Sequence, residues 1–537
     1  MIPQGRNASR RCSHCGGFST GQNQAEVLTA AGTWHHRLLN TNEPPDDSEV
    51  TLIHSVVSDV EEHLARLDDE IAKIQETLNQ LERKRSSLSI YRARNKAILS
   101  PLRRMPPEVL GEIFSRTLPS ITEMWREQAC QEYMANNPWV LSHTCSQWRG
   151  ISLSTPQLWS LVVVNYDQKT CCSIPPIAAQ LQRAEKLKIH FFGSGTVDSR
   201  PQIQMFQLLL QHASRWEELS LGLTPALLPL FSALPDQLFH LKRSWIVWEG
   251  PESQTPVDLL ACFDSAHSLV DFGVSDEHCI FPISFPIHRL VRLQLDGPWE
   301  RQQRVLKLGQ NLVEAHIWVD FADSPWPEIG EVIDLPYLQR LHVSDLRVLD
   351  YLRASALSGL SLNQRTSDDD IPHIPRHLES FLDRSTCTLR RIHIRGSPAP
   401  HKISAILGKF ESITELALTI EASDAQEETD LLMSALAVSQ AAGSTVVAPQ
   451  LRFLALGCLD DDGIDFKMYS EHLKLRWEAE ECALNSAALV TGGHGPDLAT
   501  LEDLRALRQE GLELLMVEGV EAKREMNGWC YGTTWFY

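Results

Sequence analysis

Between Val50 and Leu88 apolar residues recur in three–four alternation. Val50, Val57, Leu64, Ile71 and Leu78 stand seven apart in a register that ends on Arg85, and Ile53, Val60, Leu67, Ile74, Leu81 and Leu88 form the second series. Such a seam predicts a coiled-coil helix, assigned here to 49–95, extending roughly 60 Å at 1.5 Å per residue. A lone helix would leave this stripe in water, so the pattern predicts either a homodimer or a helix folded back on the chain's own body. Arg92, Arg94 and Lys96 form a basic link to the next segment.

A helical pattern occupies 100–162. Val109, Leu110, Ile113, Phe114 and Leu118 recur at helical steps after Met105 and Pro106, and proline suits the first turn, whose amides lack partners. A second helix is expected from an Asn137 cap and Pro138, with Leu141, Thr144, Cys145, Trp148 and Ile151 on its face. A third starts at Ser154-Thr155-Pro156 and carries Leu158, Trp159 and Val162.

From 165 to the end a short phrase returns: an apolar residue, two variable ones, an apolar, one variable, an apolar. It occurs as Leu269/Phe272/Val274, Leu290/Leu293/Leu295, Leu338/Leu341/Val343, Leu357/Leu360/Leu362, Leu389/Ile392/Ile394, Ile413/Leu416/Leu418 and Leu451/Leu454/Leu456, with a weaker copy at Leu312/Ala315/Ile317 and Trp216/Leu219/Leu221 in the same series. Each copy predicts a short strand, and the intervals have room for a helix. The phrase resembles leucine-rich repeats. Two features depart from that family: the spacing is uneven, and no Asn or Cys stands eight positions after the first apolar residue. The expectation is an irregular solenoid whose strands complete one another's core, the alternative being an ordinary α/β domain. Asp503–Arg508, Gly511 and Leu512–Val517 read as helix, stop and strand. Trp529, Tyr531, Trp535, Phe536 and Tyr537 would cap the last repeat.

Composition narrows the picture. A chain of 537 residues needs more than one core. A net charge of −20 disfavours nucleic-acid binding. No apolar run is long enough for a signal peptide or membrane span, and 12 scattered cysteines suit reduced thiols, so a cytoplasmic or nuclear location is expected. The polar stretch 1–48 reads as a disordered tail. Within it Cys12, His14 and Cys15 make only a partial zinc knuckle, the next ligands being His35 and His36. A phosphate loop, a nucleophile elbow and a zinc-protease helix are all missing, and a calcium loop around Gly463 would need Cys458 and Tyr469 where carboxylates belong. No cofactor, metal or catalytic residue is therefore expected, and the chain is not read as an enzyme.

The set Met105-Pro106, Glu108, Ile113-Phe114, Thr144-Cys145, Trp148-Arg149 and Leu158-Trp159 resembles an F-box, with Met105 and Thr144 as mild departures and a long insert, Pro119 to Asn136. The succession of heptad helix, Leu-Ser-Pro segment and F-box is similar in layout to fungal F-box proteins. The resemblance implies a substrate-recognition subunit of an SCF-type ubiquitin ligase. It would bind a Skp-type adaptor, and through it a cullin, near Met105, Pro106, Ile113, Cys145 and Trp148, and it would hold a target protein on its C-terminal repeats. The alternatives are a plain three-helix packing unit and a non-ligase repeat scaffold. The full expectation is thus α/β: an N-terminal coiled-coil helix, a three-helix F-box at 100–162 and a leucine-rich-repeat-like target-binding domain at 165–537.

For the target face, the third and fifth residues of each phrase alternate away from the buried ones. Arg292, Arg340 and Arg391 take the third place and His316, His342 and His393 the fifth. They are expected to face solvent on one concave surface suited to an acidic or phosphorylated target segment. Asp271, Glu314 and Glu415 at the same third place leave open an ordinary mixed-charge surface.

Overall fold

In the computed structural model the described residues are 34–121, 124, 138–166, 173–234, 236–249, 262–275, 286–319, 326–328, 330–364, 374–396, 400–420, 430, 433–434, 436, 448–458, 464–493 and 495–530. Cys12, His14, Cys15, Asn137, Gly463 and the aromatic residues 531–537 lie outside them. The chain forms two compact units, Met1–Met105 and Pro106–Tyr537.

The first unit carries a short helix, Trp34–Asn40, within the stretch expected to be tail, and then one helix of 52 residues, Asp47–Ile98. The Asp46 amide at its start donates to the Glu49 carboxylate (2.9 Å), which satisfies a first-turn donor and places negative charge at the positive end of the helix dipole. No residue of the long helix is buried. The seam residues from Val57 to Leu88 are each 44–67 % exposed, so the heptad stripe is presented to solvent in a single chain.

The second unit opens with helices Pro107–Arg116, Pro138–Thr144 and Ser146–Ser154 and a 3-10 turn, Pro156–Trp159. Two expectations are corrected. The second helix is two helices, because Cys145 adopts an extended backbone (φ −159°) and its Sγ accepts the Trp148 amide as an N-cap. The third stops at Trp159, and Val162 belongs to a strand, since every residue of Leu161–Asn165 is buried and bonded into the sheet.

That strand is β1 (Leu161–Asn165), the edge of a sheet of 14 parallel strands. The others are β2 (Leu187–Phe192), β3 (Trp216–Leu223), β4 (Arg243–Trp248), β5 (Asp271–Ser275), β6 (Arg292–Asp296), β7 (Glu314–Trp318), β9 (Arg340–Val343), β11 (Gly359–Gln364), β12 (Arg391–Gly396), β13 (Glu415–Ile420), β14 (Phe453–Cys458), β15 (Ser486–Thr491) and β16 (Glu513–Glu518). The two-residue strands β8 (Ile333–Asp334) and β10 (Leu352–Arg353) pair only with each other. In the large sheet each strand lies beside its predecessor, the topology of a repeat solenoid.

The phrase sets the register. Phe272, Leu293, Ala315, Leu341, Leu360, Ile392, Leu416 and Leu454 lie side by side on successive strands, and Val274, Leu295, Ile317, Val343, Leu362, Ile394, Leu418 and Leu456 form a parallel row. These rows face the connecting helices. There a buried chain of rings, Phe191, Phe206, Phe231, Phe263 and Phe272, runs at centroid spacings of 5.0–6.3 Å. Each ring pair contributes about 0.5–1.5 kcal/mol beyond its buried area. Among the described residues no asparagine ladder is present, and the main chain bonds repeat to repeat. Two successive amides donate to one carbonyl of the preceding strand's start: Val291 and Arg292 to Val270, Val313 and Glu314 to Val291, Gln339 and Arg340 to Val313, Ser358 and Gly359 to Gln339.

Candidate functional site

The helical module at the start of the second unit presents one candidate surface. On Pro107–Arg116 the residues Leu110, Gly111 and Phe114 turn inward, while Val109 and Ile113, one helical turn apart, stay exposed. The helix therefore divides between two faces the apolar residues that the sequence pattern groups on one. Pro106 and Cys145 are also exposed. Trp148 is half-buried, its ring 4.7 Å from Phe114, so it supports the module from beneath. Met105 is half-buried at the close of the first unit. Periodicity gives no sign of the anchor behind the module. The Arg183 guanidinium lies 4.4 Å from both the Trp139 and Trp159 rings, and the Trp159 indole N–H donates to the Ser152 carbonyl (2.7 Å). A cation packed against two rings, themselves edge-to-face at 5.0 Å, fixes the module to the first repeat.

The second candidate is the sheet face opposite the helices. Its first row, the third place of the phrase, is a charge ladder in strict alternation over β2 to β9: Lys188, Glu218, Arg243, Asp271, Arg292, Glu314, Arg340. Lys188 meets Glu218 at 2.9 Å, and Asp271 Oδ2 accepts from Arg243 and Arg292 at 3.0 Å each. Arg340 meets Glu314 at 2.7 Å, and Arg391 pairs with Glu415. Asp271 and Glu314 are buried, and an arginine bonded to each compensates the cost of taking a carboxylate out of water. Arg292 is partly covered, whereas the side chains of Arg340 and Arg391 are 48 % and 50 % exposed.

The histidines are not solvent-facing, which corrects the expectation for His316, His342 and His393. All three are buried with His190 in the next row, because the side chains that cover this face close over them. His342 and His393 each share a hydrogen bond with Ser361 (3.0 and 2.9 Å), His393 also bonds Thr419 (2.9 Å), His190 bonds Ser220 (3.1 Å) and His316 bonds Glu314 (2.8 Å). Burial pushes His190 and His393 down to about 3 and His342 well below its ordinary value, with His316, His393 and Arg395 reinforcing the effect at His342.

At one end Leu118, Ile121 and Met124 pack on Leu161, Val163 and Trp245. At the other, helix Val520–Cys530 lies on Ala417, Ala455 and Ala488 through Ala522 and Met526. Small residues admit it: a Cβ on Gly457 would stand 2.5 Å from Met526 Sδ. The C-terminal helix thus covers a sheet face, and the end cap expected of the aromatic cluster falls mostly on residues 531–537, outside the described residues.

The buried His190, His342 and His393 predict an acid-labile fold. A histidine kept neutral in the folded state but titrating near 6.5 when unfolded gives stability that is full above pH 6.5 and is lost as pH falls from there toward 3. Each such group steepens the loss by about 1.4 kcal/mol per pH unit inside that window. Chemical denaturation between pH 7 and 5 should show the fall, and His393→Asn, which can keep the bonds to Ser361 and Thr419, should flatten it.

No protein-family model and no curated protein matches the chain. Among solved structures, a protein from Bacteroides fragilis is similar at 14 % identity over 53 % of this chain and 67 % of its own, with a TM-score of 0.25. Among the described residues no helix is long and apolar enough to cross a membrane.

Proposed function

We propose that the chain is the substrate-recognition subunit of an SCF-type ubiquitin ligase, with an F-box-like module at 106–162 that binds a Skp-type adaptor and a leucine-rich-repeat-like solenoid that holds a target protein. The observation that carries the reading is the exposed stripe of Val109 and Ile113 beside Pro106, on a module whose Leu110, Phe114 and Trp159 are buried. An apolar stripe on a rigid base suits a partner that covers it. The ordered set of residues matching the F-box pattern gives that partner its expected identity.

Transfer would then result from proximity. The adaptor and its cullin would bring a charged conjugating enzyme near a lysine of the bound target, and this chain's task would be to hold the target in place. The chain would need no nucleophile or cofactor of its own for that role. Calorimetric titration of the full-length chain with a Skp-type adaptor tests the reading. Saturable one-to-one binding is expected, and absence of binding by a folded chain would favour a repeat scaffold outside any ligase. Deleting the module is a poor test, because Trp159 is buried where the module runs into β1.

A further inference from the structure

The charge ladder first breaks its alternation on β11, and beyond Glu415 the row continues with Phe453, Ser486 and Glu513. After Lys188, Glu218, Arg243, Asp271, Arg292, Glu314 and Arg340, an acid is due on β11, and Gly359 stands there instead; the next strand resumes with Arg391, then Glu415. Arg340 and Arg391 both pair in register with Gly359, so they flank it on one face, two strand spacings or roughly 9.6 Å apart. The same unit exists complete elsewhere in the row. Asp271 stands between Arg243 and Arg292 at this spacing and accepts a hydrogen bond from each at 3.0 Å.

Backbone geometry gives no reason for glycine at 359. Its φ is not in the left-handed region, and an added Cβ would meet Arg340 Cγ at 3.6 Å and the Gln339 carbonyl oxygen at 4.0 Å, both ordinary contacts. Three other strand glycines have their space filled: Gly222 by the Phe192 ring, Gly273 by the Trp245 ring and Gly457 by Met526. Above Gly359 the room stays open between two half-exposed guanidinium groups, each anchored on its far side by Glu314 or Glu415. Those ion pairs hold the arginines in place on either side of the gap.

We propose that this gap is a carboxylate-binding notch, and that an Asp or Glu side chain of a target protein completes the Arg340–Gly359–Arg391 unit as Asp271 completes Arg243–Asp271–Arg292. The proposal rests on the reading of the solenoid as the target-holding part and names the chemistry it selects. Planar guanidinium groups suit a carboxylate. The chain's net charge of −20 opposes an acidic partner at long range, so recognition is local, within a screening length of about 8 Å at physiological salt.

The test uses the full-length chain and a fluorescein-labelled dodecapeptide alternating Glu and Ser, with binding read by anisotropy at about 0.15 M salt. The Glu peptide should bind at least about tenfold tighter than its Gln counterpart, the difference expected for charge-assisted bonds to a guanidinium. Gly359→Glu, which keeps both arginines and fills the notch from within, should weaken binding about tenfold or more, as should Arg340→Gln with Arg391→Gln. Gly359→Ala should stay within about twofold, because a methyl group neither pairs with nor blocks the arginines. Gly359→Glu should also melt no lower than the parent, since it adds a paired acid to the ladder. Undiminished binding by Gly359→Glu, equal binding of the Gln peptide, a melting point several degrees lower, or a marked preference for a phosphoserine peptide over the Glu peptide would each overturn the notch. Adaptor titration of the same variants separates the two ideas. Adaptor binding kept while the peptide result fails removes the notch alone. Peptide binding without any adaptor binding removes the ligase reading and leaves the notch standing.

Discussion

Val109→Asp combined with Ile113→Asp is expected to abolish adaptor binding while the chain stays folded. The two side chains are 46 % and 39 % exposed and sit one turn apart on Pro107–Arg116, so the substitutions place two charges on one stripe without entering the core. Substitutions at exposed positions usually change stability by no more than about 0.5 kcal/mol. A central apolar anchor at an interface contributes about 2–4 kcal/mol, so losing both and burying charge in their place should take binding below detection in calorimetry. Leu110→Ala is the contrasting control. Leu110 is fully buried, and the change should cost about 2–5 kcal/mol of stability through the cavity it leaves. Unchanged adaptor affinity in the double variant, with an unshifted melting point, would remove the stripe as the docking surface.

Much of the fold is legible because a parallel stack turns one local phrase into one register. Two of the copies that the pattern hides are ones in which packing tolerates a small residue, while β2 is hidden by a register shift between Leu187 and Lys188. In β4 the phrase is Leu241/Ser244/Ile246 and in β15 Leu484/Ala487/Leu489. Ser244 and Ala487 face the helices where the phrase asks for a large residue, yet both strands pair in register with their neighbours. The first copy, Trp159/Val162/Val164, is hidden because its opening residue also ends the F-box-like pattern.

The alternating face is harder to read. Strand alternation shows that His316, His342 and His393 point away from the helices, but not that other parts of the chain cover them. That covering comes from residues distant in sequence, as with Trp529, whose ring lies 6.2 Å from His393. The helix break at Cys145 is concealed for a related reason. The apolar spacing continues through the break, and only the backbone angles reveal the cap. The arginines are legible as a group. Their pairing with acids on adjacent strands, and the missing acid at Gly359, require the register.

The heptad helix carries the other large expected effect: Ile71→Asp with Leu78→Asp should convert a dimer into a monomer. Nine seam residues, Val57, Val60, Leu64, Leu67, Ile71, Ile74, Leu78, Leu81 and Leu88, are exposed on a helix of 52 residues, about 78 Å long at 1.5 Å per residue. Covering them only in part yields about 1 kcal/mol each, and a second copy brings the same nine. That exceeds the roughly 4–15 kcal/mol estimated for the lost freedom of two associating chains. Ile71 and Leu78 lie one heptad apart in the same register, so each aspartate would face its counterpart across a parallel seam and put unpaired charges where leucine and isoleucine would interlock. Light scattering at micromolar concentration should report twice the 60.5 kDa chain mass for the parent and the single mass for the variant. Circular dichroism should fall only by the signal of this helix, because the second unit has its own core. A parent chain already monomeric at that concentration would end the dimer and leave docking on the chain's own body as the way the seam is covered.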